Sequence, residues 1–281
     1  MKNSTLIVLT TAIVGAILGT GSAYAADLPV KAAVVVAPAA SWAGFYIGAN
    51  AGAGSAEGTY TLAPGGCFLT GVCGGGAALN PLRTFTEDNL NTFFVGGAQA
   101  GYNWQAGNFV YGLEGDINYN GWNDNTAFLY ALAAPLVGTF TTAVNTRLDW
   151  FGTVRGRIGV AASPTILIFG TGGLAYGQVK SSTLGVFSAA GDTYAGTASS
   201  TRAGWTVGGG MEWMFLPNWS LKWEYLYIDL GKLNYTDGCI AACGAFATPQ
   251  AYTTSVQFRE QVARVGLNYH FNAPAAVVAK Y

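Results

Sequence analysis

Charged side chains are scarce in this sequence of 281 residues. Asp, Glu, Lys and Arg together make up 10% of it, whereas a soluble globular domain usually carries about 25%. The 13 Lys and Arg residues are balanced by 14 Asp and Glu residues. This balance argues against a general nucleic-acid-binding protein.

Long hydrophobic runs are also missing after residue 26. A transmembrane helix needs about 20 consecutive apolar residues, so a polytopic helical membrane protein is excluded. The chain is nevertheless 51% hydrophobic and 14% aromatic, with 40 glycines, and its mean hydropathy is +0.31. The aromatic content and the net charge of only −1 argue against disorder. So many apolar residues must recur with a short period, as they do in a membrane β-barrel.

The N-terminal residues 1–25 predict a cleaved secretory signal. Small side chains occupy the two positions that a signal peptidase reads, Ala23 and Ala25. The mature chain would begin at Ala26, and residues 26–41, rich in Ala, Val and Pro, would form a flexible periplasmic leader. An uncleaved signal anchor is the alternative.

Between Trp42 and Phe271, segments of about ten residues alternate large apolar side chains with small or polar ones. A period of two places the two sets on opposite faces of a strand. The pattern predicts an all-β fold, an eight-stranded antiparallel transmembrane up-and-down β-barrel over residues 42–271, with a C-terminal tail at 272–281. The eight segments lie near residues 43–54, 92–105, 109–121, 146–161, 165–180, 202–215, 219–231 and 254–271.

The breaks between these segments alternate in length. Three are very short, and four are long, at residues 55–91, 122–145, 181–201 and 232–253. Short turns at one end and long loops at the other are typical of an outer-membrane barrel. None of the nine prolines falls inside a predicted strand, as a sheet ladder requires.

The aromatic face of the strands is predicted to point outward into lipid, because eight strands enclose an interior only wide enough for side chains. In residues 147–160, Leu148 and Trp150 would then face lipid, whereas Arg147 and Asp149 would face the lumen. Charges of both signs in the lumen favour a structural salt-bridge network, and a selectivity filter for small ions is the alternative. The lumen network is predicted to contain Glu114, Asp116, Asp149, Arg155, Arg157, Glu212, Lys222, Glu224, Glu260 and Arg264.

The four cysteines form two local pairs, Cys67 with Cys73 and Cys239 with Cys243, both in predicted long loops. An even number of cysteines in an exported protein indicates disulfides. Four cysteines allow three connectivities, of which the two local pairs are favoured. A structural zinc site is the alternative, disfavoured because the pairs lack the usual two-residue spacing.

The last predicted strand carries alternating apolar side chains that end in an aromatic residue. These are Val265, Leu267, Tyr269 and Phe271. They resemble the signal read by the outer-membrane insertion machinery, although Phe271 is followed by ten more residues.

Four motifs in order resemble the small porin-like outer-membrane immunogenic proteins of alphaproteobacteria, relatives of the opacity-type eight-stranded barrels. They are WAGFYIGANAG at 42–52, WFGTVRGRIG at 150–159, GGLAYG at 172–177 and RVGLNYHF at 264–271. The resemblance covers essentially the whole mature chain. It implies a monomer in the outer membrane of a Gram-negative bacterium, abundant and exposed as a surface antigen.

The function expected from these features is mainly structural, at the cell surface. A narrow porin-like channel for small solutes is the first alternative. Binding of haem or of a host or phage partner through the long loops is the second. Its haem ligands would be loop tyrosines, namely Tyr60, Tyr130, Tyr194, Tyr235 and Tyr252.

No enzyme activity, catalytic residue, metal or cofactor is expected, because the only histidine, His270, lies at an inward position near the short-turn end. The expected partners are outer-membrane lipid and the insertion machinery, and no nucleic acid.

Overall fold

The computed structural model describes residues 41–64, 83–87, 92–132, 138–188, 191–243 and 251–271. The predicted signal sequence, the leader up to residue 40, the C-terminal tail and the Cys67–Cys73 pair lie outside these residues. Within the described ranges, no helix is long and apolar enough to cross a membrane.

Ten β-strands make up the fold. They are β1 Gly44–Pro64, β2 Arg83–Glu87, β3 Phe93–Ala106, β4 Phe109–Asn120, β5 Asn123–Leu132, β6 Gly138–Ser163, β7 Ile166–Phe187, β8 Thr193–Leu216, β9 Trp219–Ala241 and β10 Ala251–His270.

The strands form one closed antiparallel ring with eight positions. The order is β1-β3-β4-β6-β7-β8-β9-β10, and β10 pairs with β1 to close it. Strand β1 pairs along one edge first with β3 and then with β2. In the same way, one edge of β6 pairs with β5 in its first half and with β4 in its second half. The prediction of an eight-stranded up-and-down barrel is therefore confirmed, with two of its positions each shared by two strands.

The predicted long loops are in large part strand. Strand β1 extends to Pro64, β7 extends to Phe187 and β9 extends to Ala241. Backbone pairing continues there although the apolar alternation fades, because ladder hydrogen bonds do not require an apolar face. Pro64 is consequently the last residue of a strand rather than a loop residue. The three short turns were predicted correctly, and Gly107 adopts a φ of 61° in the first of them.

Side chains alternate strictly between the inside and the outside of the barrel in its lower half, next to the short turns. Along β4, Phe109, Leu113 and Tyr119 are exposed, whereas Glu114 and Asn118 are buried. The aromatic face is thus the outer one, as the sequence predicted.

A β-bulge in β6 reverses this alternation, with a register shift against β7 between Leu148 and Phe151. The bulge corrects the sequence assignment on its upper side. Leu148 is fully buried inside the barrel, whereas Arg147 and Asp149 point outward and are partly exposed. One extra residue in a strand is enough to exchange its two faces.

Candidate functional site: the filled lumen

Eight oppositely charged side chains form a belt across the lower half of the lumen. Its carboxylates are Glu114, Asp116, Glu212 and Glu224, and its cations are Arg155, Arg157, Lys222 and Arg264. All of them are buried. Four negative and four positive charges leave the belt electrically neutral, which is the condition under which buried charges are tolerated.

Arg155 is the centre of the larger group of the belt. Its guanidinium contacts Glu114, lies 2.9 Å from Asp116 and lies 2.7 Å from Glu224. Arg264 bridges Asp116 and Glu224 from the other side, at 2.8 and 2.6 Å. Lys222 donates to Glu114 at 2.8 Å. Each carboxylate of this group therefore contacts at least two cations.

Arg157 and Glu212 form a separate pair nearer the short turns. Asn268 also donates to Glu212, at 2.7 Å. The Arg157 guanidinium lies 3.9 Å from the centroid of the Phe169 ring, a cation–π geometry. Trp42 closes this end of the barrel below them, fully buried against an apolar cluster that includes Phe169 and Met214.

A serine, a histidine and a carboxylate meet in this lower group. The Ser220 hydroxyl lies 2.9 Å from His270 Nε2 and donates to Glu212 at 2.5 Å. Glu212 also faces His270 Nε2, at 3.4 Å. A catalytic triad needs the serine and the acid on different ring nitrogens. This set therefore lacks triad geometry, and all three side chains are buried.

Glu260 lies above the belt and has no ion-pair partner among the described residues. Asn120 donates to one carboxylate oxygen at 2.7 Å, and the other oxygen is buried without a partner. Glu260 is therefore buried inside the barrel, but it is not part of the ion-pair network. Asp149 is outside the lumen altogether.

An apolar cluster fills the lumen above the belt. It includes Leu148, Leu226, Leu230, Trp122 and Phe258, and the last two rings lie 4.8 Å apart. Sequence reasoning missed it. The sequence does carry a signal for it, because the inner face of β9 changes from charged to aliphatic side chains after Glu224.

The tyrosines considered as haem ligands are not free loop residues. Tyr60 is buried and donates to Asp124 at 2.9 Å. Tyr235 is buried against Ser181 at 2.9 Å, and Tyr194 is buried in the cluster at the upper rim. The side chain of Tyr130 lies outside the described residues. This placement weakens the haem alternative.

Cys239 and Cys243 form a disulfide, in agreement with the predicted local pairing. Cys239 belongs to the end of β9 rather than to a loop. On β10, Val265 and Leu267 are exposed on the outer face, and Phe271, beyond its end, packs 5.4 Å from Phe45. Recognition of these residues by the outer-membrane insertion machinery stays a prediction.

The outer surface has an apolar band between two aromatic levels. The lower level includes Trp104, Phe109, Trp213 and Trp219, and the upper level includes Tyr119, Trp150, Tyr176, Trp205 and Tyr227. The segment of β9 from Trp219 to Tyr227 is nine residues long, within the roughly 9–11 residues of a membrane-spanning strand. A closed barrel with such a band and two aromatic girdles is a transmembrane β-barrel.

Comparison with known proteins agrees with this class. The outer membrane protein β-barrel domain family matches residues 15–271, and the chain belongs to it. The chain is 38% identical over 264 residues to the 31 kDa outer-membrane immunogenic protein of Brucella melitensis, covering 89% of this chain and 94% of that one. It is 33% identical over 211 residues to a 22 kDa outer membrane protein of Rhizobium leguminosarum, covering 75% and 72%.

Among solved structures, the outer membrane protein OprG of Pseudomonas aeruginosa is similar with a TM-score of 0.42 and 14% identity, over 82% of this chain and 97% of that one. The family match and the curated relatives show that this protein is an outer-membrane β-barrel protein of a Gram-negative bacterium.

Proposed function

We propose that this protein is a sealed structural barrel with a surface-exposed upper part, and that it does not conduct solutes. The observation that carries the proposal is the filled lumen. Trp42 closes the lower end, the neutral charge belt lies above it, and the apolar cluster around Trp122 and Phe258 follows. An eight-stranded barrel has little free bore to begin with.

The surface role rests on the height of the wall. Strand β9 continues 14 residues beyond Tyr227 of the upper girdle, to Ala241, so its upper half lies outside the apolar band. The relatives named outer-membrane immunogenic proteins support exposure of this part to a host or phage partner. We further propose that the protein is a monomer without enzymatic activity.

The narrow-channel alternative is tested by recording the purified barrel in a planar lipid bilayer. We expect no steady conductance from the native protein, because the side chains of the belt and of the apolar cluster occupy the lumen. A reproducible conductance that disappears when Arg155 or Arg157 is replaced would overturn the proposal.

A pair of matched variants shows that the recording can detect an opened lumen. Trp122→Gly with Phe258→Gly removes two rings in contact inside the barrel, and this variant is expected to conduct or to flicker once Trp42→Gly and Arg155→Gly also open the lower end and the belt. Trp219→Gly with Tyr269→Gly removes two rings 5.2 Å apart on the outside, and it should stay silent.

A further inference from the structure

The outer surface of the barrel changes character just above the upper aromatic girdle, on the side formed by β6, β7 and β8. Below the girdle, Val154 and Leu174 are cross-strand neighbours and both are exposed. At the girdle, Trp150 and Tyr176 are in edge contact at 6.0 Å. Above it, Arg147 and Lys180 are cross-strand neighbours. An apolar wall thus ends in two adjacent cations at the level of the lipid headgroups.

The β6 bulge places Arg147 on the outer face, next to Lys180 of β7. Because the bulge turns Asp149 outward as well, this carboxylate lies 2.5 Å from Lys180 Nζ and 3.5 Å from Arg147 Nε. It holds the two cations side by side and leaves the trio with a net positive charge. The Arg147 side chain is 52% exposed, and its two terminal nitrogens have no ion-pair partner among the described residues.

A shallow cavity of about 300 Å³ opens next to the cations. Its wall carries the Asn145 amide and the hydroxyls of Ser182, Thr197 and Ser199, together with Arg147 and Lys180. Hydroxyl and amide groups beside a guanidinium and an ammonium are the donors that bind a phosphorylated sugar.

We infer that this cavity, the Arg147–Lys180 clamp, binds the phosphorylated headgroup of an outer-leaflet glycolipid. The guanidinium and ammonium contact a phosphate, and the hydroxyls contact the sugar. The acyl chains lie along Val154 and Leu174 below. The continuous apolar wall under the clamp favours a lipid over a free phosphate ion, which would gain nothing from that wall.

The clamp is tested by native mass spectrometry of the full barrel in detergent, with phosphorylated lipid A and with the same lipid A after its phosphates are removed. Arg147→Gln with Lys180→Gln should weaken binding of the phosphorylated lipid by about tenfold or more, because two charge-assisted contacts are lost. The dephosphorylated lipid should bind weakly to both proteins.

The matched control is Lys232→Gln with Arg259→Gln. It removes the same charge from outward positions on β9 and β10, where Arg259 pairs with Asp229 at 3.3 Å, and should change binding by less than about twofold. Unchanged heat-dependent gel mobility verifies that every variant is folded.

Three results would overturn the inference. They are equal binding of the two lipids, equal loss in the clamp and control variants, and displacement of bound lipid by inorganic phosphate alone. The last result would show an anion site without lipid specificity.

Discussion

Replacing single arginines by methionine should destabilise the barrel in an order set by the number of cations that each carboxylate keeps. Arg157→Met leaves Glu212 buried with no Arg or Lys ion-pair partner among the described residues. Breaking a buried ion pair in this way costs about 3–5 kcal/mol, and we expect the upper end of that range.

Arg155→Met should cost less although Arg155 has more contacts. Asp116 and Glu224 retain Arg264 at 2.8 and 2.6 Å, and Glu114 retains Lys222 at 2.8 Å. No carboxylate is left without a cation, so we expect a loss near the lower end, about 3 kcal/mol. Arg259→Met is the exposed control. Its side chain is 41% exposed, and its loss should cost less than about 1 kcal/mol.

The assay is urea unfolding of the barrel in lipid vesicles, followed by tryptophan fluorescence and by heat-dependent gel mobility. The slope against urea concentration must match between variants before the free energies of unfolding are compared. Equal small losses for all three variants would mean that water screens the lumen charges. The sealed-lumen argument would then be refuted.

Two further predictions concern the part of the barrel above the membrane. Burial raises the pKa of Asp237 to about 6, so its stabilising, protonated form is present at low pH and is lost as the pH rises through about 6. Asp237→Asn should therefore stabilise the protein above pH 6, by up to about 3 kcal/mol, and change little near pH 4, as measured by unfolding at both pH values. The expected result is a gain in the free energy of unfolding above pH 6 that is absent near pH 4. An equal gain at both pH values would contradict the prediction. Cys239→Ser with Cys243→Ser opens a loop with a sequence separation of only 4, so it should cost no more than about 2 kcal/mol. The gel mobility of the folded barrel should be unchanged, and a failure to fold would contradict this.

The lower half of the barrel was predictable from the sequence because two physical demands agree there. Lipid requires apolar side chains outside, and the narrow lumen accepts small or paired polar ones, so a period of two is visible in segments such as residues 109–119. In the upper half, no lipid surrounds the barrel, so apolar side chains are not required on the outside. Residues 181–201 are rich in Ser, Thr, Gly and Ala. The described parts of this segment form strands because their backbones hydrogen-bond to neighbouring strands.

All eight belt residues were among the predicted lumen charges, but Asp149 and Glu260 were predicted with them and do not belong to the belt, and the pairing was not predictable. Glu212 and Lys222 are cross-strand neighbours, yet Lys222 donates to Glu114 and Glu212 contacts Arg157. Long side chains reach across the lumen, and strand register alone does not contain that information. Arg147 and Asp149 were misplaced because a bulge leaves no sign in a period-two pattern.

The bulge at Leu148–Phe151 also decides what a change of chain length does to β6. Strand β6 has one residue more than β7 between the pairs Leu148–Val179 and Phe151–Gly177. Removing that extra residue would give a regular ladder and leave Val144 inside and Arg147 outside. Removing a residue above the bulge while the bulge persists would instead send Phe140 and Val144 outward, because a shift of one residue exchanges the two faces of a strand. A codon deletion in this gene would therefore be mild within the bulge and severe a few codons before it.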